Sequence, residues 1–312
     1  MTGTVTDGTT APGTGAGTPL SIVVPTVGRV EEVGRLLDSL RPQLGPGDQL
    51  VVIDQNSDDR LGPVLAAAAD LRPERVRAEA RGASHARNVG LAHVRRAVVW
   101  FPDDDGWATP GQLEAIRRCL EREPETDVVA GRIVDEDGRP SMGRWPDRPV
   151  QATRGNVWRV GAEATMVFRR RFFERVGGFR EAIGVGSRGP WGAGEGQDLL
   201  LRGLAAGCRI GYRPDIVFGH PNKFERDEAA ILRKAASYAR GVGYVMGVNG
   251  YSPLELVPHL LKPLVAIVLF AVAGRRGRVR YYAGQLVNRW RGWWAGRRDR
   301  GLPPDALPPP AT

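Results

Sequence analysis

Cysteine is nearly missing from this chain: Cys119 and Cys208 are the only two in 312 residues. That is too few for a disulfide framework or a cysteine-based zinc site, and it fits a reducing compartment. The opening stretch, MTGTVTDGTTAPGTGAGTP, has neither a basic start nor an apolar centre. No secretory signal peptide is read there, and residues 1–18 are expected to form a flexible Thr/Gly/Pro-rich tail. Its GTGAG follows no strand, which removes the phosphate-loop reading. Within 254–273 the uninterrupted apolar part, LVAIVLFAVA, has 10 residues, short of the roughly 20 needed to span a bilayer. No internal repeat is visible. At 42% hydrophobic and 25% charged, the composition excludes wholesale disorder.

Negative charge is also scarce, but only locally. The net charge is +9, and residues 274–300 carry nine arginines against Asp299 alone, a surplus of +8. The rest of the chain is therefore close to neutral, which argues against a body that grips nucleic acid along its length. Single-strand binding by the Arg/Trp segment stays as an alternative reading.

What is present first is an alternation of strands and helices. LSIVVP (20–25) and QLVVID (49–54) read as strands buried on both faces. Val30, Val33, Leu36, Leu37 and Leu40 recur at helical spacing between them. A helix is expected through 61–71, a short strand near Val76, and a helix over 83–95 with Ala86, Val89, Leu91 and Val94 inward. Ala97–Phe101 reads as a strand, and a helix runs from Pro110 to Arg122. Short connections make this an α/β chain with a mostly parallel sheet covered on both faces. Farther on, 127–134 and 163–169 read as strands, 170–177 as a helix, 184–197 as a glycine-rich loop long enough to be mobile. Leu199–Ala206 reads as a helix, and CRIGY and DIVFGH as two short strands.

The strand ending at Phe101 delivers Asp103, Asp104 and Asp105 side by side. Two like charges about 4 Å apart cost about 1 kcal/mol in water and about 4 at an effective dielectric of 20. A surface turn tolerates that; a buried strand end requires a cation or protons. Ligands of open α/β sheets bind beyond the carboxyl ends of the strands, where Asp54 also falls. Hard divalent ions take such oxygen ligands.

Six segments in order carry a resemblance: SIVVPT (21–26), VVIDQNSDD (51–59), GASHARNVGL (82–91), WFPDDDGW (100–107), GEGQDLLLR (194–202) and IVFGH (216–220). Together, over roughly residues 19–222, the chain resembles the inverting family-2 glycosyltransferases of the GT-A fold, with their DxD motif. The resemblance implies a Rossmann-like nucleotide-binding mixed sheet flanked by helices. It places Thr26, Arg29 and Asp54 at the nucleoside of a sugar nucleotide, and Arg87 and Asp104 also at the donor. Asp103, Asp105 and His220 would hold Mg2+ or Mn2+. An inverting transferase needs a general base for the acceptor hydroxyl, and Asp198 or Glu195 is expected in that role. Members commonly carry Asp directly after the Glu; here Gly196 stands there.

The domains expected are the tail at 1–18, a GT-A domain at 19–225 and a basic helical extension at 226–312. Val279, Tyr282, Leu286, Trp290 and Trp293 recur at three- or four-residue spacing among arginines, which suits a helix lying in an anionic membrane interface. The expectation is a metal-dependent hexosyl transferase at the cytoplasmic face of a membrane. It would move sugar from a nucleoside-diphosphate donor to a glycan or lipid-linked acceptor in cell-surface polysaccharide synthesis. A non-catalytic scaffold that keeps the fold is the alternative, and nucleic acid is not an expected partner.

Overall fold

A computed structural model of the chain describes residues 17–222 and 227–302. The expected tail at 1–18 therefore falls, through residue 16, outside the described residues. The strands are β1 (Leu20–Thr26), β2 (Gln49–Asp54), β3 (Glu74–Arg77), β4 (Val98–Trp100), β5 (Trp107–Ala108), β6 (Val128–Val134), β7 (Val150–Gln151), β8 (Met166–Arg169) and β9 (Ile210–Gly219). The helices are α1 (Glu31–Leu40), α2 (Gly62–Ala67), α3 (Ala83–His93), α4 (Gln112–Arg122), α5 (Arg170–Val176), α6 (Glu195–Ala205), α7 (Glu228–Val248), α8 (Pro253–Val272) and α9 (Arg276–Arg298).

One mixed sheet runs β3-β2-β1-β4-β8-β6-β9-β5, with β7 also on β9. The first four strands are parallel, while β8 is antiparallel to both β4 and β6. Alternation along β1 sends Leu20, Ile22 and Val24 into one core and Val23 into the other. The first core is closed by Val33, Leu36, Leu37 and Leu40 of α1 and by Leu113, Ile116 and Leu120 of α4. The second is closed by Ala86, Leu199, Leu200 and Tyr244. Both free cysteines are buried.

Several elements depart from the sequence reading. The inner face of α3 is Ser84, Ala86, Arg87 and Gly90, with Val89 and Leu91 only half-buried. A Cβ on Gly90 would fall 2.3 Å from the Val23 side chain, so close approach to β1, not apolarity, selects that face. The helix expected from Pro110 starts at Gln112, behind Gly111 in the left-handed region at φ 74°. Residues 163–165 form a 3-10 turn ahead of β8. CRIGY and DIVFGH join into the single strand β9, because both halves pair with β6 across a register shift between Ala130 and Arg132. Pro214 sits in the unpaired excess of that bulge, where the ladder needs no N–H from it.

The extension beyond 225 shares the core with the rest. Tyr244, Val245, Met246, Tyr251, Leu256 and Trp293 lie in one apolar cluster with β1 and β6 residues. The stripe expected on α9 is divided: Trp290 is exposed and Val279, Tyr282 and Leu286 are half-buried, whereas Trp293 is buried together with Asn288, Gly292 and Gly296. Gly243 and Gly247 of α7, and Gly292 and Gly296 of α9, let the two helix backbones touch: a Cβ at Gly243 would lie 2.0 Å from the Arg289 carbonyl oxygen. A Cβ at Gly292 would lie 2.0 Å from the Arg240 carbonyl oxygen. The uninterrupted apolar run of 10 residues was expected to fall short of a membrane span, but it lies within α8, one 20-residue helix that continues through Pro258 and Pro263. By length and composition it is apolar enough to cross a membrane.

Candidate functional site

The site grows from strand ends made level by register. Thr26 pairs with Asp54 across β1 and β2, and Ile22 with Trp100 across β1 and β4. The residues just past Trp100 therefore arrive beside Thr26. At the other side, Trp107 pairs with Gly219, which draws His220 against the acidic turn. Gly219 is required there, since a Cβ would fall 2.1 Å from the Trp107 indole.

Asp103, Asp105 and His220 converge: one ligand atom from each lies within 4.8 Å of the others. His220 Nε2 is 3.3 Å from Asp105 and 3.7 Å from Asp103. Its Nδ1 is 2.9 Å from the Pro221 carbonyl oxygen. That contact assigns the proton to Nδ1 in the neutral ring and leaves the Nε2 lone pair toward the acids. The two carboxylates supply oxygen ligands of the kind that Mn2+ or Mg2+ takes, and the imidazole adds one nitrogen donor. Burial disfavours the imidazolium, yet Asp105 and Asp103 raise His220 above its ordinary value.

The repulsion posed by the triple aspartate is answered by arginines as well. Arg29 Nη1 lies 2.6 Å from Asp104 and 2.7 Å from Asp105. Burial pushes the Asp104 carboxyl up, opposed by Arg29 and reinforced by Asp105 and Asp103. Thr26 brings a buried hydroxyl beside Asp104 that lacks a hydrogen-bond partner of good geometry. Arg87 is buried between two acids, with Nη1 3.2 Å from Glu195 and Nη2 3.4 Å from Asp103. Its Nε has no partner.

Asp54 is handled differently from the sequence expectation. Its carboxylate is 0% exposed. One oxygen accepts from the Asn56 backbone N–H at 2.9 Å and from Asn56 Nδ2 at 2.7 Å. The other accepts from Arg75 at 2.7 and 2.9 Å, with Arg77 3.2 Å away. Burial acts to raise this carboxyl, but Asn56, Arg75 and Arg77 prevail and hold it below its usual range. Asp54 thus braces a wall whose Asn56 accepts from the Gly28 N–H at 2.7 Å. Beside it opens a cleft of about 420 Å³ lined by Gln55, Asn56, Ser57, Arg77, Glu79 and Arg81.

The two acids of α6 part company. Asp198 is wholly enclosed, with one oxygen 2.9 Å from Arg202 Nε and 3.2 Å from Arg180 Nε. Its other oxygen accepts from Asn249 Nδ2 of α7 at 2.8 Å. Glu195 lies instead in the crevice on Arg87. Burial first, and then the charge of Glu163, raise its carboxyl to about 7 against the pull of Arg87.

Three residues without a motif in the sequence also reach this crevice or its wall. Glu163 accepts from the Gly196 N–H at 2.9 Å. Tyr238 of α7 is pushed up to about 12 by burial and by the charges of Glu195, Glu163 and Asp103. Arg75 serves Asp54. Trp191 stacks on Tyr244 with centroids 4.1 Å apart, so it packs against the core. The glycine-rich loop around it is tied back by the Gly184 N–H to the Trp191 carbonyl at 2.8 Å.

A mixed sheet flanked by helices, with convergent acids at its carboxyl edge, is the arrangement of the GT-A class. The family model described as glycosyl transferase family 2 matches residues 21–177, and the chain belongs to that family. It is 27% identical over 234 residues to the pre-mycofactocin glycosyltransferase of Mycobacterium tuberculosis, covering 69% of this chain and 45% of that protein. It is 25% identical over 171 residues to an uncharacterized glycosyltransferase of Haemophilus influenzae, covering 53% and 57%. The chain thus spans about half the length of these curated relatives. Among solved structures it is similar to the mannosyltransferase PcManGT of Pyrobaculum calidifontis in complex with GDP-Man and Mn2+. That likeness has a TM-score of 0.57 at 18% identity and covers 94% and 89% of the two chains. Staphylococcus aureus TarS 1–349 gives a TM-score of 0.57 at 16% identity, covering 84% and 89%.

Proposed function

We propose that the protein is a metal-dependent inverting glycosyltransferase that moves a hexosyl unit from a nucleoside-diphosphate sugar to a hydroxyl of a glycan or lipid-linked acceptor in surface polysaccharide synthesis. The observation that carries this reading is the convergence of Asp103, Asp105 and His220 within 4.8 Å, joined through Arg87 to the acid Glu195. Asp103, Asp105 and His220 would hold Mg2+ or Mn2+, which supplies positive charge for a departing diphosphate. Arg87 offers its guanidinium fork to the same phosphates. Arg29 keeps Asp104 and Asp105 in place, and the cleft along Asn56 and Arg77 receives the nucleoside. Solved relatives in complex with GDP-Man and with UDP-GlcNAc support that donor class.

Of the two acids expected as base, Asp198 is committed to Arg180, Arg202 and Asn249. That leaves two carboxylates beside the first turn of α6 as candidates for the acceptor's proton, Glu195 on Arg87 and Glu163 on the Gly196 N–H. A panel of UDP- and GDP-sugars with Mn2+ tests the reading. At least one donor should raise the melting midpoint and release nucleoside diphosphate, and a chelator should abolish both effects. A panel in which no donor does either contradicts the reading.

Membrane docking belongs to the same proposal. The outer face of α8 leaves Leu254, Leu261, Val265, Val268, Leu269 and Val272 exposed, next to the arginine-rich α9. Apolar surface beside positive charge suits an anionic bilayer, with the catalytic body on its cytoplasmic side. Deleting 252–312 would also remove Trp293 from the core, so a surface change is the sharper probe. A chain carrying Val265→Asp and Leu269→Asp should stay folded and no longer pellet with phosphatidylglycerol vesicles. Equal pelleting of both chains removes this part of the proposal.

A further inference from the structure

Gly196 stands where the resemblance of the α6 segment implies an Asp, and the space it leaves is filled. A Cβ built there would lie 2.9 Å from both Cγ and Oε1 of Glu163 and 3.0 Å from its Cδ. A side chain at 196 and the Glu163 carboxylate therefore exclude one another. Glu163 comes from the 3-10 turn before β8, and that turn is fixed on two sides. Trp100 Nε1, in the strand that delivers the aspartates, donates to the Ala164 carbonyl at 2.7 Å. Gln197 Nε2 of α6 donates to the Gly161 carbonyl at 2.9 Å. The Glu163 carboxylate is thus held against the first turn of α6. The Gly196 N–H donates to it there at 2.9 Å.

Its accessibility separates it from its neighbour. Glu163 is half-buried, whereas Glu195 is 4% exposed and bonded to Arg87. The charge of Glu163 is felt at Arg87 on one wall and at Tyr238 on the other, together with that of Asp103. Geometry ties it to the metal-ligand set: the Gly196 N–H that it accepts is next in the chain to Glu195, whose partner Arg87 reaches Asp103.

We propose that Glu163 is the general base for the acceptor hydroxyl, reaching from the turn before β8 into the position that Gly196 leaves open, with Glu195 as a positioning residue that holds Arg87. The proposal rests on the transferase reading above. In the step it serves, the acceptor oxygen bonds to the anomeric carbon as the bond from that carbon to the diphosphate oxygen breaks. The bonding pair leaves on the nucleoside diphosphate. The hydroxyl proton passes to a Glu163 carboxylate oxygen and returns to solvent after the product departs; nothing is oxidised or reduced.

The test uses the full chain with Mn2+ and with UDP-GlcNAc and GDP-Man as probes. It reads nucleoside diphosphate release with water as acceptor, and UDP or GDP binding by calorimetry. Glu163→Gln keeps an acceptor for the Gly196 N–H, so nucleotide affinity should stay within about twofold while release falls roughly a hundredfold or more. Glu163→Ala should lose as much and recover part of it in added formate. The double change Glu163→Ala with Gly196→Asp should recover at least about tenfold over Glu163→Ala, because an acid is returned to the same space. A Gln variant turning over within about threefold of the parent overturns the proposal. So does a Gln variant that loses nucleotide binding and melting cooperativity along with its rate, since that marks a structural brace. A parent chain that neither binds nor cleaves either donor instead brings down the transferase reading, and this proposal with it.

Discussion

Asp105→Asn is expected to cost more than about 100-fold in Mn2+-assisted nucleotide affinity, with turnover falling at least as far. Even partners that only orient a metal's ligands are worth 10- to 100-fold in affinity, so a carboxylate within the ligand set is worth more. Asp105 is 6% exposed and lies 3.3 Å from His220 Nε2 and 2.7 Å from Arg29. Asparagine keeps the shape and removes the charge, so the loss reads out electrostatics and not packing. Asp104→Asn is the contrast: Asp104 lies outside the convergent set, and its loss should cost clearly less. Calorimetric titration of UDP or GDP into each variant with Mn2+ checks both. Equal losses at 104 and 105 would mean that the acids act as a diffuse negative patch.

The second large effect is on stability. Asp198→Ala should destabilise the fold by about 3–5 kcal/mol, the usual cost of removing one partner from a buried ion cluster. Arg180 and Arg202 would each lose their carboxylate, and Asn249 would lose the contact that ties α7 to α6. Arg202 also donates to the Val176 and Gly178 carbonyls at 2.6 and 2.8 Å, so the disturbance should spread to the end of α5. Denaturant unfolding measures the loss. If Asp198→Ala folds with parental stability but does not turn over, the base assignment returns to Asp198. Glu195→Gln should behave oppositely: it should fold well, because burial and Glu163 already raise its carboxyl toward neutrality, and lose rate, because Arg87 loses the carboxylate that positions it.

The sheet and the acidic turn were legible in the sequence because their signals are local. Continuous apolar runs such as LSIVVP and QLVVID specify buried strands, and β1 and β2 appear with bounds within a residue. The six segments named from sequence bracket the crevice, and Asp103, Asp105 and His220 meet as the resemblance implied. What was not legible depends on partners distant in the chain. The commitment of Asp54 to Arg75 spans 21 residues, that of Arg29 to Asp104 spans 75, and that of Asp198 to Asn249 spans 51. No pattern in a short window distinguishes a carboxylate awaiting ligand from one already saturated by arginine. Glu163 had no motif, and its place is visible only through the space at Gly196. The end of the chain misled for another reason. Trp293 read as part of a membrane-facing stripe and as a residue able to stack on bases, yet its indole donates to the Tyr251 carbonyl inside the core. The glycines that bring α7 and α9 together have no hydrophobic signature at all.

The claim on which the rest depends is that Asp103, Asp105 and His220 tolerate one another because they share a divalent ion that carries the donor's diphosphate. The direct measurement is calorimetry of UDP and of GDP added to the full chain, once with Mn2+ and once with a chelator. The account predicts saturable binding of at least one nucleotide with Mn2+, at one site per chain, and none with the chelator. Binding of equal strength under both conditions, or no binding of either nucleotide, would contradict it.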